Sequence, residues 1–160
     1  MQVLMVCLGN ICRSPTAHGV FEKYIYDKGL SNYIKVDSAG TGDWHIGQPP
    51  DPRSLEVAAQ RGYDLSKQRA RQVESTDFQR FDYILAMDST NLRDLEKQCP
   101  AQYQQNLQLF LHFGGSEYDA VPDPYYSGAQ GFELVLDLVE EASNNLLAHI
   151  VKQHSLPADQ

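Results

Sequence analysis

Short apolar segments alternate with segments of helical spacing along the whole chain of 160 residues. Residues 2–6 predict a buried strand, because they are apolar, partly β-branched and followed by a glycine turn. Three further strands are predicted at residues 33–36, 81–87 and 107–110. Strands that alternate with helices predict right-handed crossovers, and therefore an α/β fold in which helices cover both faces of a parallel sheet.

Capping residues predict where the helices lie. A first helix is predicted over residues 14–29, with Ser14 as its N-cap and Pro15 in its first turn. Residues 51–62 repeat this signal, with an aspartate before a proline at the start and a glycine at the end. Apolar residues at helical spacing predict two more helices, over residues 89–99 and 132–153.

Length and charge narrow the class of protein. One domain spanning residues 1–160 is expected, because a chain of this length buries enough surface to fold alone. A formal net charge of −8 argues against nucleic acid or an anionic membrane surface as a partner. The apolar start of the chain has no basic segment before it and is too short for a membrane span, so we expect no membrane insertion.

Cysteine and histidine usage favours a protein of a reducing compartment. Three cysteines, an odd number without framework spacing, indicate the cytoplasm rather than a secreted fold. No pair of histidines or cysteines has the spacing of a zinc site, so no metal is expected.

The segment between the first strand and the first helix has the features of an anion-binding loop. In parallel α/β folds, ligands bind beyond the carboxyl ends of the strands, which is where Cys7 falls. Backbone N–H groups of a loop that closes onto a helix N-terminus form a cradle for an anion. Gly9 permits a close backbone approach, and Asn10 tolerates a left-handed turn. The loop lacks the G-K-[ST] motif of ATP-binding loops.

A phosphate in this cradle would lie above Cys7, and the planar guanidinium of Arg13 could bind two of its oxygens. Attack on phosphorus requires a thiolate, whereas a free thiol is mostly protonated at neutral pH. A helix dipole supplies at most about 2 kcal/mol toward that ionisation. The loop N–H groups, the charge of Arg13 and the hydroxyl of Ser14 must therefore supply the rest. The plain alternatives are a buried cysteine that ends a strand and a surface arginine.

A proton donor for the leaving oxygen is expected from the loop after the fourth strand. Asp123 lies there between two prolines, so its loop can return to the same edge of the sheet as Cys7. Tyr125 and Tyr126 would form an aromatic wall for a flat substrate ring. Trp44 follows the second strand and either lines the same pocket or anchors its own loop.

These residues closely resemble the low-molecular-weight protein tyrosine phosphatase family. The family signature V-C-x-G-N-x-C-R-S-P is met by residues 6–15, and the segments VDSAGTGDW, DPR, AMDSTNLRDL and VPDPYY follow in the family's order. The resemblance implies a four-stranded parallel sheet flanked by helices, of the flavodoxin-like or Rossmann-like type. It implies hydrolysis of phosphotyrosine in proteins and of small aryl phosphates, with inorganic phosphate as product and no cofactor.

The resemblance also implies roles for individual residues. Cys7 would form a cysteinyl-phosphate, Arg13 would clamp the phosphate, and Asp123 would act first as acid and then as base. Asn10 and Ser38 would hold the loop in shape. The remaining members of the phosphate-binding loop would be Leu8, Gly9, Ile11, Cys12 and Ser14, with Ser14 stabilising the thiolate, and the pocket would be lined by Leu8, Ile11, Trp44, Tyr125 and Tyr126.

Some residues keep two interpretations. Cys12 either pairs reversibly with Cys7 under peroxide or is a neutral member of the loop. The basic segment 66–72 is either a solvated face or a docking site for a partner, and the five histidines are expected to be structural or surface residues. Cys99 is expected to pack at a helix end.

Two other functions compete with the phosphatase hypothesis. A thiol-dependent arsenate reductase of the same fold needs resolving cysteines, yet Cys99 alone lies outside the loop. A catalytically silent phosphate-binding module could discard Cys7 or Asp123, yet both residues are present.

Overall fold

A four-stranded parallel sheet forms the centre of the protein in a computed structural model that describes residues 1–115, 117–125 and 128–157. The strands lie in the order β2-β1-β3-β4, and all three neighbouring pairs are parallel. This arrangement confirms the predicted α/β class. The bounds are Gln2–Cys7 for β1, Lys35–Gly40 for β2, Tyr83–Ala86 for β3 and Leu107–Leu109 for β4.

Helices cover both faces of the sheet. Side chains of β1 alternate between two apolar clusters, so that Val3 and Met5 join the helices on one face while Leu4 and Val6 join those on the other. A strand buried on both faces is apolar throughout, which is why this one was predictable. The helices are α1 (Arg13–Asp27), α2 (Pro52–Gln60), α3 (Asp77–Arg80), α4 (Ser89–Gln98) and α5 (Ala129–Gln153), with 3₁₀ turns at Ala101–Asn106 and Phe110–Phe113.

The second strand lies later in the chain than predicted. Residues 33–36 were expected, whereas β2 runs from Lys35 to Gly40, paired residue by residue with β1. Asp37 is polar and partly exposed, which an edge strand tolerates, whereas Ser38 is buried and accepts a hydrogen bond from Asn10. The shift places Ser38 and Gly40 beside the end of β1.

The start of α1 also differs from the prediction. Cys12 is its N-cap residue and makes no side-chain capping bond, so the expectation that Ser14 caps this helix is wrong. Ser14 lies in the first turn, where its hydroxyl contacts Cys7 and Asn10 instead of a backbone N–H. By contrast, Asp51 caps α2 as predicted and accepts a hydrogen bond from the N–H of Arg53.

No helix among the described residues combines the length and the low polarity that crossing a bilayer requires.

Candidate active site

A cavity of about 380 Å³ opens at the edge of the sheet where β1 ends. It lies between residues 7–13, here called the phosphate loop, and residues 121–125, here called the acid loop. Its lining brings together most of the residues predicted for the site: Cys7, Leu8, Gly9, Ile11, Cys12, Arg13, Trp44, His45, Asp123 and Tyr125. Tyr126, which was predicted for the same wall, lies outside the described residues.

Gly40 allows the phosphate loop to pass close to β2. A Cβ atom at this position would lie 2.7 Å from the carbonyl oxygen of Leu8 and 3.2 Å from the backbone nitrogen of Asn10. These neighbours are backbone atoms of the loop itself and cannot move without reshaping it. The absence of a side chain at Gly40 therefore fixes how the loop wraps around the end of β1.

The sulfur of Cys7 lies at the base of the cavity among hydrogen-bond donors. It accepts the backbone N–H of Asn10 at 3.3 Å, and it lies 3.1 Å from the hydroxyl oxygen of Ser14. That oxygen already accepts a hydrogen bond from Nδ2 of Asn10 at 2.8 Å, so its own proton can be donated either to the sulfur or to the carbonyl of Ala39, which lies farther away at 3.4 Å. Donors that point at a sulfur favour its charged form, and this geometry therefore suits a thiolate.

Asn10 ties the phosphate loop to the rest of the fold. Its φ of 57° is the left-handed conformation expected from the sequence. Besides Ser14, its side-chain amide donates to the hydroxyl of Ser38 at 3.1 Å and accepts the backbone N–H of Arg71 at 2.9 Å. Three separate segments thus hold one buried side chain, so the strained turn has little freedom to relax.

Arg13 is buried, with 3% of its surface exposed, and its guanidinium is fixed at one end. Nη1 donates to the Asp88 carboxylate at 2.7 Å and to the carbonyl of Val121 at 3.0 Å. Burial alone would lower the pKa of Arg13, but the charge of Cys7 and the hydrogen bond to Asp88 outweigh it and raise that pKa. The result is a permanent cation in the cavity wall, oriented by the protein before any anion binds.

Asp123 lies at the mouth of the cavity on the acid loop. Its side chain is about half exposed, at 51%. Oδ1 accepts the backbone N–H of Tyr125 at 3.0 Å, and Oδ2 lies 3.9 Å from Nη2 of Arg13. The carboxyl group therefore lines the same cavity as Cys7, with one oxygen held by the acid loop and the other near Arg13.

Cys12 differs electrostatically from the other cysteine of the loop. Burial, followed by the charges of Asp51 and Cys7, raises the pKa of its thiol to about 12. At neutral pH it is therefore a protonated thiol. Reversible pairing of Cys12 with Cys7 under oxidation stays a prediction, and all three cysteines are free here.

Alkylation should separate the three cysteines. Iodoacetamide at pH 7 is expected to modify Cys7 first, because Cys12 has a pKa of about 12 and burial also raises the pKa of Cys99. Peptide mass spectrometry over a time course measures each site, and inorganic phosphate in the cavity should slow the reaction at Cys7 alone. Modification of Cys12 at the same rate as Cys7 would contradict this ordering.

Comparison with known proteins identifies the family. A family model described as low molecular weight phosphotyrosine protein phosphatase matches residues 2–156. A relative of that name from Schizosaccharomyces pombe is 44% identical over 149 residues, which cover 91% of this chain and 95% of the relative. The crystal structure of a protein tyrosine phosphatase from Entamoeba histolytica is 43% identical, with a TM-score of 0.93 and coverage of 98% of this chain and 99% of that chain.

The chain belongs to the low molecular weight phosphotyrosine protein phosphatase family. The resemblance predicted from the sequence is thus confirmed, and with it the class of enzyme, a phosphoric monoester hydrolase. The roles predicted for individual residues stay predictions. Most of the described ones line a single cavity, while Asn10, Ser14 and Ser38 lie outside that lining and are joined to Cys7 by hydrogen bonds.

Asp88 is a site residue of this phosphatase that sequence reasoning missed. One of its carboxylate oxygens accepts the backbone N–H of Asn91 as the N-cap of α4, while the other binds Arg13. In the sequence this residue has the pattern of an ordinary helix cap, and that capping role hides the second contact. The signal that could have found it is position, because Asp88 follows β3 at the same edge of the sheet as Cys7.

Two histidines that the sequence left as structural or surface residues lie at the site. His45 lines the cavity, and its Cδ2 would be 2.9 Å from a Cβ atom at Gly9, so its ring packs directly on the phosphate loop. His18 lies behind the loop, with Nδ1 3.2 Å from the hydroxyl of Ser38. Its hydrogen bond to Glu22 lowers the pKa of that carboxyl. The contacts with Gly9 and Ser38 do not follow from spacing, since these partners come from other elements, whereas His18 and Glu22 are four positions apart in α1.

The basic segment 66–72, predicted to be a solvated face or a docking site, also has a structural role. The guanidinium of Arg71 lies 3.0 Å from Asp77 and 3.1 Å from Asp37, and its backbone N–H is a hydrogen-bond donor to Asn10. The segment therefore supports the phosphate loop from behind. Among the described residues, no cluster of three or more His, Cys, Asp or Glu side chains has the arrangement to hold a metal ion.

Proposed function

We propose that this family member hydrolyses phosphotyrosine in proteins through a cysteinyl-phosphate on Cys7, with Arg13 as the phosphate clamp and Asp123 as the general acid. The observation that carries the proposal is the convergence of donors on one sulfur at the base of the cavity. The N–H of Asn10 and the hydroxyl of Ser14 contact the sulfur of Cys7, while Arg13 and Asp123 line the same cavity. This combination suits a nucleophile, a clamp and an acid in line.

In the first step the thiolate of Cys7 attacks phosphorus, and a sulfur–phosphorus bond forms as the bond to the tyrosine oxygen breaks. Asp123 gives its proton to that departing oxygen, so tyrosine leaves as a neutral phenol. Arg13 and the N–H groups of the phosphate loop stabilise the negative charge on the three equatorial oxygens. Because Asp88 already orients Arg13, little reorganisation is needed during the reaction.

In the second step water attacks the phosphorus of the cysteinyl-phosphate. Asp123, now ionised, takes a proton from that water, and the sulfur–phosphorus bond breaks. Inorganic phosphate leaves, and the Cys7 thiolate is restored. The same carboxyl group therefore serves both steps, and the cycle ends with every group in its starting state.

Aromatic side chains at the mouth support a phosphotyrosine substrate. Trp44 is 67% exposed and Tyr125 is 39% exposed, and both line the cavity. A phenyl ring between them would bring its phosphate down to Cys7, whereas the shorter side chain of phosphoserine would have difficulty reaching the sulfur. The substrates of the proposal are proteins that carry phosphotyrosine.

The proposal assigns the activity to one domain spanning residues 1–160, in the cytoplasm. The odd number of cysteines, all free, supports a reducing compartment. Cys99 packs in the apolar cluster on the face of the sheet opposite that of Cys7. An arsenate reductase needs a second cysteine that can reach the arsenic–thiol adduct on Cys7. Cys99 is buried on the other side of the sheet, so it does not support that function.

Trapping the intermediate tests the proposal. In the presence of a metal chelator, the protein is expected to release phosphate from p-nitrophenyl phosphate and from a phosphotyrosine peptide. Enzyme quenched in acid during turnover should carry phosphorus on the peptide that contains Cys7, as peptide mass spectrometry would detect. Phosphorus on another residue, or activity that requires an added divalent cation, would overturn the mechanism.

A further inference from the structure

We propose that Arg53 is a positioning residue that fixes the acid loop relative to the phosphate loop. The inference rests on the proposed role of Asp123 as general acid. Arg53 lies in the first turn of α2 and does not line the cavity. It connects the buried residue Asp51, whose backbone is bonded to the phosphate loop, with an aromatic ring of the acid loop.

Asp51 is the fixed end of this connection. It is buried, and its backbone N–H donates to the carbonyl of Ile11 in the phosphate loop at 2.8 Å. Its carboxylate accepts both Nε and Nη2 of Arg53, at 3.0 Å and 2.9 Å. Two parallel hydrogen bonds orient the plane of the guanidinium as well as its position. The hydrogen bond from Arg53 also lowers the pKa of Asp51, which keeps the pair charged at neutral pH.

Two aromatic rings contact the oriented guanidinium. Its central carbon lies 4.7 Å from the ring centre of Phe132 and 5.4 Å from that of Tyr125. Phe132 is buried in α5 and is part of the core on that face of the sheet. Tyr125 belongs to the acid loop. Both distances are within the range of a cation–π contact. Arg53 therefore joins the acid loop, through Tyr125, to two residues that are buried in the fold, Asp51 and Phe132.

Tyr125 passes this restraint to the proposed acid. Its backbone N–H donates to Oδ1 of Asp123 at 3.0 Å, which turns Oδ2 toward Arg13. The contacts therefore run without a break from Ile11 through Asp51, Arg53 and Tyr125 to Asp123. These contacts hold Asp123 in position relative to the phosphate loop, which carries Cys7.

Loss of Arg53 should therefore weaken proton donation more than phosphate binding. A substrate with a poor leaving group depends on the proton from Asp123. The p-nitrophenolate group of p-nitrophenyl phosphate, by contrast, leaves readily without a proton. For Arg53→Met we expect kcat/KM on phenyl phosphate to fall by about 10-fold to 10²-fold, the order of loss that a displacement of about 1 Å causes. On p-nitrophenyl phosphate the loss should be several times smaller.

The measurement is the slope of log kcat/KM against the pKa of the leaving phenol, over a series of substituted phenyl phosphates. The slope should become steeper in Arg53→Met and, to a smaller extent, in Arg53→Lys, which keeps the charge but loses the planar fork. In an Asp123→Ala background, Arg53→Met should steepen the slope no further, because the two changes act on the same step. A merely structural role would lower kcat/KM equally for every substrate.

Arg80 supplies a matched control. Its guanidinium lies 4.9 Å from the ring centre of Phe81, but it contacts Gln2 at the start of β1, at the end of the sheet away from the cavity. Arg80→Met should leave the slope at the wild-type value. If both Arg53 variants keep the wild-type slope while Asp123→Ala has a steeper one, the role of Arg53 is overturned and the proposed acid stands. A wild-type slope in Asp123→Ala would overturn the proposed acid and this inference together.

Discussion

Replacement of Cys7 with serine is expected to reduce kcat on aryl phosphates by about 10⁵-fold or more, the order of loss seen when a catalytic nucleophile is removed. Serine keeps the shape of the site, since its oxygen can still contact Asn10 and Ser14. Its hydroxyl does not ionise under the conditions that produce a thiolate, and the structure holds no base positioned to activate it among the described contacts of Cys7. Cys7→Ser should therefore lose catalysis and still bind phosphate.

Calorimetric titration with inorganic phosphate checks this separation. Cys7→Ser should still bind phosphate, because Arg13 and the N–H groups of the phosphate loop remain, and its thermal unfolding should resemble that of the wild type. Cys99→Ser is the matched control, since Cys99 is also buried but lies on the opposite face of the sheet. It should retain activity. A Cys7→Ser enzyme within about 10²-fold of the wild-type rate would show that another group attacks phosphorus.

The phosphate loop could be predicted because its parts are contiguous in sequence. A buried strand, a turn that requires a left-handed residue and a helix start follow one another within residues 2–15, and each has a local signal. Asn10 adopts the predicted conformation, and β1 ends at Cys7, one residue beyond the predicted strand. Local signals also explain the one error in this region, because a serine before a proline has the pattern of a cap whether or not its hydroxyl faces the helix.

The supports of the loop could not be predicted, because they come from distant segments. Asp88, Arg71 and His45 reach the site only after β2 and β3 pair with β1, and their partners lie tens of positions away in the chain. Arg71 illustrates the difficulty: its side chain forms ion pairs while its backbone N–H holds Asn10. A charged residue in a basic segment gives no hint of a backbone contact. The sequence therefore locates the chemistry more readily than the scaffold that supports it.

Asp123→Ala is expected to lower kcat/KM on phenyl phosphate by about 10²-fold to 10⁴-fold, the usual contribution of one acid–base group. This loss corresponds to about 2.7 to 5.4 kcal/mol in the barrier. Asp123 is half exposed and makes one hydrogen bond to Tyr125, so its removal should leave the fold intact. The loss should be smaller on p-nitrophenyl phosphate, because p-nitrophenolate departs readily without a proton.

Steady-state rates on phenyl and p-nitrophenyl phosphate at one pH measure both effects. Asp119→Ala is a matched control, because it removes an exposed aspartate shortly before the acid loop and outside the lining of the cavity. It should keep the wild-type rate on both substrates. If Asp123→Ala turns over phenyl phosphate at nearly the wild-type rate, the proton must come from elsewhere. Asp88 would be an unsuitable replacement, because both of its carboxylate oxygens are already bonded, one to Arg13 and one to the start of α4.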